Sequence, residues 1–192
     1  MSHSSSPNPA GAGKSSYDLI DPGTLWTVLN LSQGITFLDL GCGRGNYSLA
    51  AADRIGTTGV VYAVDLWEEG LAALKERAAR EGRANLKALA APASQIPMES
   101  RSVDVGLMAT VLHDLVEAGT AAGALAEVSR VIKAGGRLAI VEFHKIDGPP
   151  GPPRHIRLDP PEVEALVAPY GFAREQTVKL GPYNYLITFM KS

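Results

Sequence analysis

The sequence predicts an α/β fold built on a mainly parallel sheet, and three observations carry that expectation. Short apolar, β-branched runs alternate with helix-like segments, which is the layout of βαβ units. The last two strand-like runs stand too close together to hold a helix between them, so they form a hairpin and add an antiparallel element at one edge. The chain has 192 residues with no internal repeat and no second core pattern, a length that fits one domain on a prior of roughly 100–200 residues.

The elements follow in order. Ile35–Leu40 (ITFLDL) is a short apolar strand that ends at Gly41, and Asn46–Ile55, rich in Ala and Leu, is a helix. Val60–Asp65 (VVYAVD) is β-branched and aromatic, hence a second strand. Glu68–Glu81 sets Leu71, Leu74 and Ala78 at spacings of three and four, an amphipathic helix that Gly82 can end. Leu86–Ala91 and Val103–Met108 are strands; Thr120–Ile132, with Leu125, Val128 and Ile132 on one face, is a helix. Arg137–Glu142 is the fifth strand and Glu162–Tyr170 a helix stopped by Gly171. Ala173–Leu180 and Tyr185–Lys191 form the hairpin, turning at Gly181-Pro182. Right-handed crossovers put helices on both faces of the sheet. Residues 1–16, mostly Ser, Gly, Pro and Ala, bury too little to be ordered and are expected to form a disordered arm, leaving 17–192 as a single domain.

Composition narrows the function. One cysteine excludes an internal disulfide, a Cys-only metal cluster and a dithiol redox pair. A net charge of −2 disfavours a protein that wraps a phosphate backbone, which needs a dense basic face. No run approaches the ~20 apolar residues of a membrane span, and no signal-peptide layout opens the sequence. A cytoplasmic protein with no nucleic-acid or membrane partner and no metal is expected.

The chemistry centres on Asp39-Leu40-Gly41-Cys42-Gly43-Arg44-Gly45, which leaves the first strand and enters the first helix of a βα unit. Glycines there let the chain turn sharply and let a ligand approach without a Cβ in the way. The spacing is G-x-G-x-G, neither the dinucleotide G-x-G-x-x-G nor the P-loop G-x-x-x-x-G-K-[ST]. Asp39, two residues before the first glycine, would repel a pyrophosphate but suits an ammonium or sulfonium cation. Asp65 ends the second strand, where an acidic group accepts hydrogen bonds from ribose hydroxyls. A ligand with a ribose, little phosphate and a positive charge is implied, and S-adenosylmethionine (SAM) fits.

At this point the chain resembles the class I SAM-dependent methyltransferases. The resembling segments stand in family order: LDLGCGRG (Leu38–Gly45), VVYAVDL (Val60–Leu66), IP (Ile96, Pro97), SVDVGLMATVLHDL (Ser102–Leu115), EVSRVIKAGGRLAIVEF (Glu127–Phe143) and YGF (Tyr170–Phe172). Within the family it is most similar to the small-molecule group that includes ubiquinone and menaquinone methyltransferases. The resemblance implies a Rossmann-like three-layer αβα sandwich whose seven-stranded sheet has an antiparallel last strand. It implies SAM as cofactor and S-adenosyl-L-homocysteine as product. It places Gly41, Gly43 and Gly45 on the methionine part with Asp39 nearby, Asp65 on the ribose, and Leu66 and Trp67 on the adenine. Ala93 and Ser94 would lie at the adenine edge and Ala109 at the methionyl end. The family often has an Asp in the loop of Ala93; here the aligned residue is Pro92. The alternative for Asp39 is a loop or helix cap, and for Trp67 a packed aromatic.

Methyl transfer from a sulfonium is an in-line displacement in which the protein mainly aligns the acceptor and excludes water. Candidate acceptor-side residues are His113, Asp114 and Glu142, then His144, Tyr183 and Tyr185. His113 is the preferred general base because its ordinary pKa lies near 6.5; the alternative is a packed histidine. Glu142 has the alternative of binding a neighbouring helix terminus. Six of the 13 prolines fall in Asp147–Pro161, placed to wall the acceptor pocket, with Arg154, His155 and Arg157 there to hold an anionic group. Tyr17 is placed to fold over the SAM site. The chain lacks the Asn/Asp-Pro-Pro-Tyr of adenine and glutamine methyltransferases, so a small organic acceptor remains. A non-catalytic SAM-binding scaffold of the same fold is the rival reading.

Overall fold

Burial alternates along the central strand, and that alternation sets the layers. In β1 (Thr36–Leu40), Leu38 and Leu40 pack into one apolar cluster and Phe37 into another on the opposite face. The computed structural model describes residues 13–192 of the chain. Beside β1 lie β2 (Val60–Asp65), β3 (Leu86–Ala90), β4 (Val103–Ala109) and β5 (Ile132–Phe143), all parallel. The hairpin of β6 (Phe172–Lys179) and β7 (Asn184–Lys191) completes a sheet of order β3-β2-β1-β4-β5-β7-β6, with β7 antiparallel to both neighbours. The Rossmann-like class and the antiparallel closing strand are as the sequence predicts.

One face carries α1 (Pro22–Leu29), α2 (Asn46–Ile55) and α3 (Glu68–Arg80), whose Leu25, Trp26, Ile55, Leu71 and Leu74 are buried. The other carries α4 (Leu112–Glu117), α5 (Ala121–Val131) and α6 (Pro160–Val167), burying Leu112, Leu125, Val128, Val163 and Val167. Helix α1 starts because Asp21 accepts from Gly23 N and Thr24 Oγ1, with Pro22 in the first turn, where its missing N–H costs nothing. Helix α6 starts at Pro160, ahead of the expected Glu162. Asp159 and Glu162 close a capping box around the two prolines.

Helices α1 and α4 go beyond the sequence expectation. Each is eight residues or fewer, too short for a helical period to stand out. The expected arm, residues 1–16, falls largely outside the described residues. At its end, however, Ser16 is buried, its hydroxyl 2.8 Å from Tyr47 Oη and 3.2 Å from Thr110 Oγ1. Among the described residues no helix is long and apolar enough to cross a membrane.

The strand order reverses between β2 and β4 on either side of β1. The loops leaving β1 and β4 therefore diverge to opposite faces and open a crevice at the carboxyl ends of the strands, the usual ligand position in such sheets.

Candidate active site

A cavity of about 750 Å3 occupies that crevice, within the ~300–1,000 Å3 range of small-molecule pockets. Gly41, Gly43, Asp65, Leu66, Trp67, Ala93 and Ala109 line it, as do His113 and Asp114. Seven of the ten expected cofactor residues are thus brought together, along with two of the three catalytic candidates.

The remaining four are placed differently. Gly45 does not line the cavity; a Cβ there would stand 2.4 Å from the Leu74 side chain, so this glycine lets α3 pack against the start of α2. Ser94 is also turned away, its Cβ facing Gly123 of α5. Asp39 lies behind the loop, 1% exposed, and accepts a 2.5 Å hydrogen bond from Ser48 Oγ. Glu142 is fully buried beneath His113.

The loop geometry explains its glycines. Gly43 adopts φ +53°, and a Cβ there meets nothing closer than Lys14 O at 3.9 Å, so its place in the cavity is kept open for a ligand. Its amide donates to Asp65 Oδ2 at 2.7 Å, while Trp67 N donates to Asp65 Oδ1 at 2.8 Å. Asp65 thereby ties the β1 loop to the β2 loop, and each oxygen keeps lone-pair capacity for a further donor. The Trp67 indole packs on Gly70 with the Arg44 guanidinium over its ring, and its buried Nε1 has no hydrogen-bond partner among the described residues.

Burial pushes the Asp39 carboxyl up to about 7; the Ser48 hydrogen bond opposes the shift and the nearby Asp65 charge adds to it. A cation bound in the cavity favours the ionised form, so binding releases the Asp39 proton at lower pH. Affinity for SAM should therefore climb with pH up to about 7 and level off above it. Calorimetry in two buffers of different ionisation heat should show proton release near pH 6, and Asp39→Asn should remove it. A wild type with no proton linkage would contradict the placement of positive charge near Asp39.

Helix α4 brings His113, which also lines the cavity, against Glu142 of β5. Glu142 Oε2 lies 2.7 Å from His113 Nδ1, and Oε1 accepts from the His113 amide at 3.1 Å. The geometry fits the helix-terminus alternative for Glu142, which caps α4 where the N-cap residue Val111 makes no side-chain cap, and the same carboxylate also contacts the imidazole. Burial works against the protonated imidazole, but the Glu142 hydrogen bond and charge, with Asp114 and Glu117, outweigh it and hold His113 above its ordinary pKa. Asp114 is raised, chiefly by burial.

Pro150, Gly151 and Pro152 of the proline-rich segment line the cavity together with Phe143, Leu115 and Ala118. Of that segment's three cations, Arg157 does otherwise than expected. Arg157 is 1% exposed and donates to the carbonyls of His144, Gly148, Pro150 and Pro152, so it staples the loop from within and is spent before any anion arrives. Tyr185 is also structural, its hydroxyl donating to Leu158 O. Tyr17 lies beside the cavity and packs edge-on to Tyr47, while Lys14, Ser15, Ser16 and Leu19 form the cover. Nothing in the sequence pattern marked those four. Thr110, also lining the cavity, takes φ +53°, rare for a β-branched residue, where β4 gives way to α4.

The chain belongs to the methyltransferase domain family, whose model matches residues 38–140. SAM is the cofactor, and the residues present fit it: an open glycine loop, the strand-end carboxylate of Asp65 and acidic surroundings suited to a sulfonium. The chain is 33% identical over 121 residues to the 2-phytyl-1,4-naphtoquinone methyltransferase of Trichormus variabilis, covering 62% of this chain and 51% of that one. It is 32% identical over 127 residues to the ubiquinone/menaquinone biosynthesis C-methyltransferase UbiE of Cupriavidus metallidurans, covering 64% and 51%. It thus spans about half the length of the curated relatives it matches. Among solved structures, a SAM dependent methyltransferase from Aquifex aeolicus superposes with a TM-score of 0.84 at 29% identity, covering 92% of this chain and 93% of that one.

Proposed function

We propose that this protein moves a methyl group onto a small organic acceptor seated between His113 and the Pro150–Pro152 wall. The observation that carries the reading is one cavity lined both by the Gly41–Gly43 loop with Asp65 and by the His113 ring. SAM supplies an already activated methyl group. Gly41, Gly43 and Ala109 would border its methionine part, Asp65 would accept from the ribose, and Leu66, Trp67 and Ala93 would flank the adenine. Asp39 would act through its charge. Leu115, Phe143 and the prolines offer an apolar slot that keeps water from the acceptor and holds it in line. His113 would take a proton from the acceptor, with Asp114 beside it.

The relatives named for naphthoquinone and for ubiquinone and menaquinone methylation support a reduced quinone or similar ring as the acceptor. The proposed setting is the cytoplasm, with no nucleic-acid or membrane partner; the buried, unpaired Cys42 thiol suits a reducing compartment. The test is incubation with methyl-labelled SAM and a panel of hydroquinones, phenols and amines. Label transfer to a ring acceptor is expected. SAM binding without transfer to any member would favour the scaffold reading instead.

A further inference from the structure

The Glu142–His113 contact carries more than a helix cap. We propose that Glu142 is a positioning residue that locks His113 in the tautomer with its proton on Nδ1. The Nε2 lone pair is thereby left for the cavity, which takes an acceptor that must lose a hydroxyl proton. This rests on the methyl-transfer reading above.

A carboxylate has acceptors only. Glu142 is 0% exposed, and its oxygens face three N–H positions: the His113 amide at 3.1 Å, the Phe143 amide at 3.4 Å and His113 Nδ1 at 2.7 Å. Nδ1 must then be a donor, and in the neutral ring Nε2 has no hydrogen. Among the described residues Nε2 makes no hydrogen bond; the Asp114 carboxyl stands near it, with Oδ1 at 3.5 Å, longer than a hydrogen bond. Among the described residues Nε2 is therefore uncommitted on a ring that lines the cavity. The charged groups around the ring are Glu142 from β5, Asp114 and Glu117 from α4, and Lys14, which acts on Asp114 from the N-terminal cover. Three of these four are acidic, so an imidazolium formed during turnover is stabilised where it forms.

That arrangement suits a hydroxyl acceptor more than a neutral amine, which already has a free electron pair. The hydroxyl proton passes to Nε2. The electron pair left on oxygen, or on a ring carbon conjugated to it, forms the bond to the methyl carbon. The pair of the broken methyl–sulfur bond stays on sulfur as a neutral thioether. For transfer to carbon, tautomerisation then moves that carbon's hydrogen to oxygen. In either case one proton leaves for solvent per methyl group.

Glu142→Gln separates positioning from capping. Its amide oxygen can still accept from the His113 backbone, while its NH2 must donate to Nδ1, which moves the ring proton to Nε2. The full chain, labelled with 15N-histidine, is read by NMR, with His113→Gln assigning the signals. In the wild type above the ring's pKa we expect a protonated Nδ1 and a bare Nε2. In Glu142→Gln we expect the reverse, a titration midpoint at least one pH unit lower, and a kcat with 1,4-naphthohydroquinone at least tenfold lower at unchanged SAM affinity. A wild-type ring protonated on Nε2, or a variant with unchanged tautomer and midpoint, overturns the proposal. The expected tautomers with transfer only to amines overturn the hydroxyl assignment. The expected tautomers with no transfer to any acceptor count against the methyl-transfer reading, and the hydroxyl assignment falls with it. Above the ring's pKa, where its charge contributes no stability, an unchanged urea midpoint in Glu142→Gln confirms that capping survived.

Discussion

Asp65→Ala is expected to weaken SAM binding at least tenfold while leaving the sheet intact. Two effects add. A hydrogen bond to a charged group contributes about 1.5–3 kcal/mol, which corresponds to roughly 10–150-fold in affinity, and the ribose would lose its acceptor. Asp65 also receives the Gly43 and Trp67 amides, so its removal frees the two loops that shape the cavity and adds an ordering cost to binding. The residue lies at the end of β2, half-buried at the cavity rim, so its loss empties no core. Calorimetry of the variant, with a thermal melt as control, reads both parts. A folded variant with wild-type affinity would show that Asp65 faces no ligand.

The second large effect is on stability. His113→Ala leaves Glu142 buried with no ring beside it, and breaking a buried charged pair from one side costs about 3–5 kcal/mol. Urea unfolding should show a loss of that order at pH 7. The sign with pH is definite for the wild type. The folded pKa of His113 is raised above 6.5, so the stability contributed by its charge is complete below about pH 6.5. It is lost as the pH climbs through the higher folded value. His113→Gln keeps a donor to Glu142 and removes the titration. It should therefore be milder than His113→Ala and should flatten the decline in stability between pH 6 and pH 8.5. Equal slopes in wild type and His113→Gln would show that the ring stays neutral across that range.

The legible parts of the fold were those with a local signature. The strands at Val60–Asp65 and Leu86–Ala90 and the long helices are written in β-branching and in spacings of three and four. The hairpin is legible from the distance between two runs, whereas the insertion of β7 between β5 and β6 shows only in the folded sheet. Helix α4 has six residues and draws its cap from Glu142, 29 positions away, so no local pattern announces it. The same separation keeps the contact between Glu142 and the His113 ring out of any local pattern.

The site shows the same division. Glycines and a strand-end aspartate mark a ligand loop in any βα unit, but which glycine faces the ligand is decided by neighbours. Gly43 opens on the cavity, whereas Gly45 yields to Leu74, a residue of another helix. Arg157 reads in sequence as a free cation beside prolines, yet the turns of its own loop bring four carbonyls round its guanidinium. The cover from Lys14 to Leu19 has no compositional mark, because Ser16 is held by Tyr47 and Thr110, which lie far along the chain.

The account turns on what the crevice above β1 and β4 holds, and a calorimetric titration measures that most directly. The full chain is titrated with SAM, with S-adenosyl-L-homocysteine and with NADH under the same conditions. One-site binding of SAM and its product, with no heat from NADH, is the expected result. Absence of SAM binding at 1 mM, or tighter binding of NADH, would contradict the account at its centre.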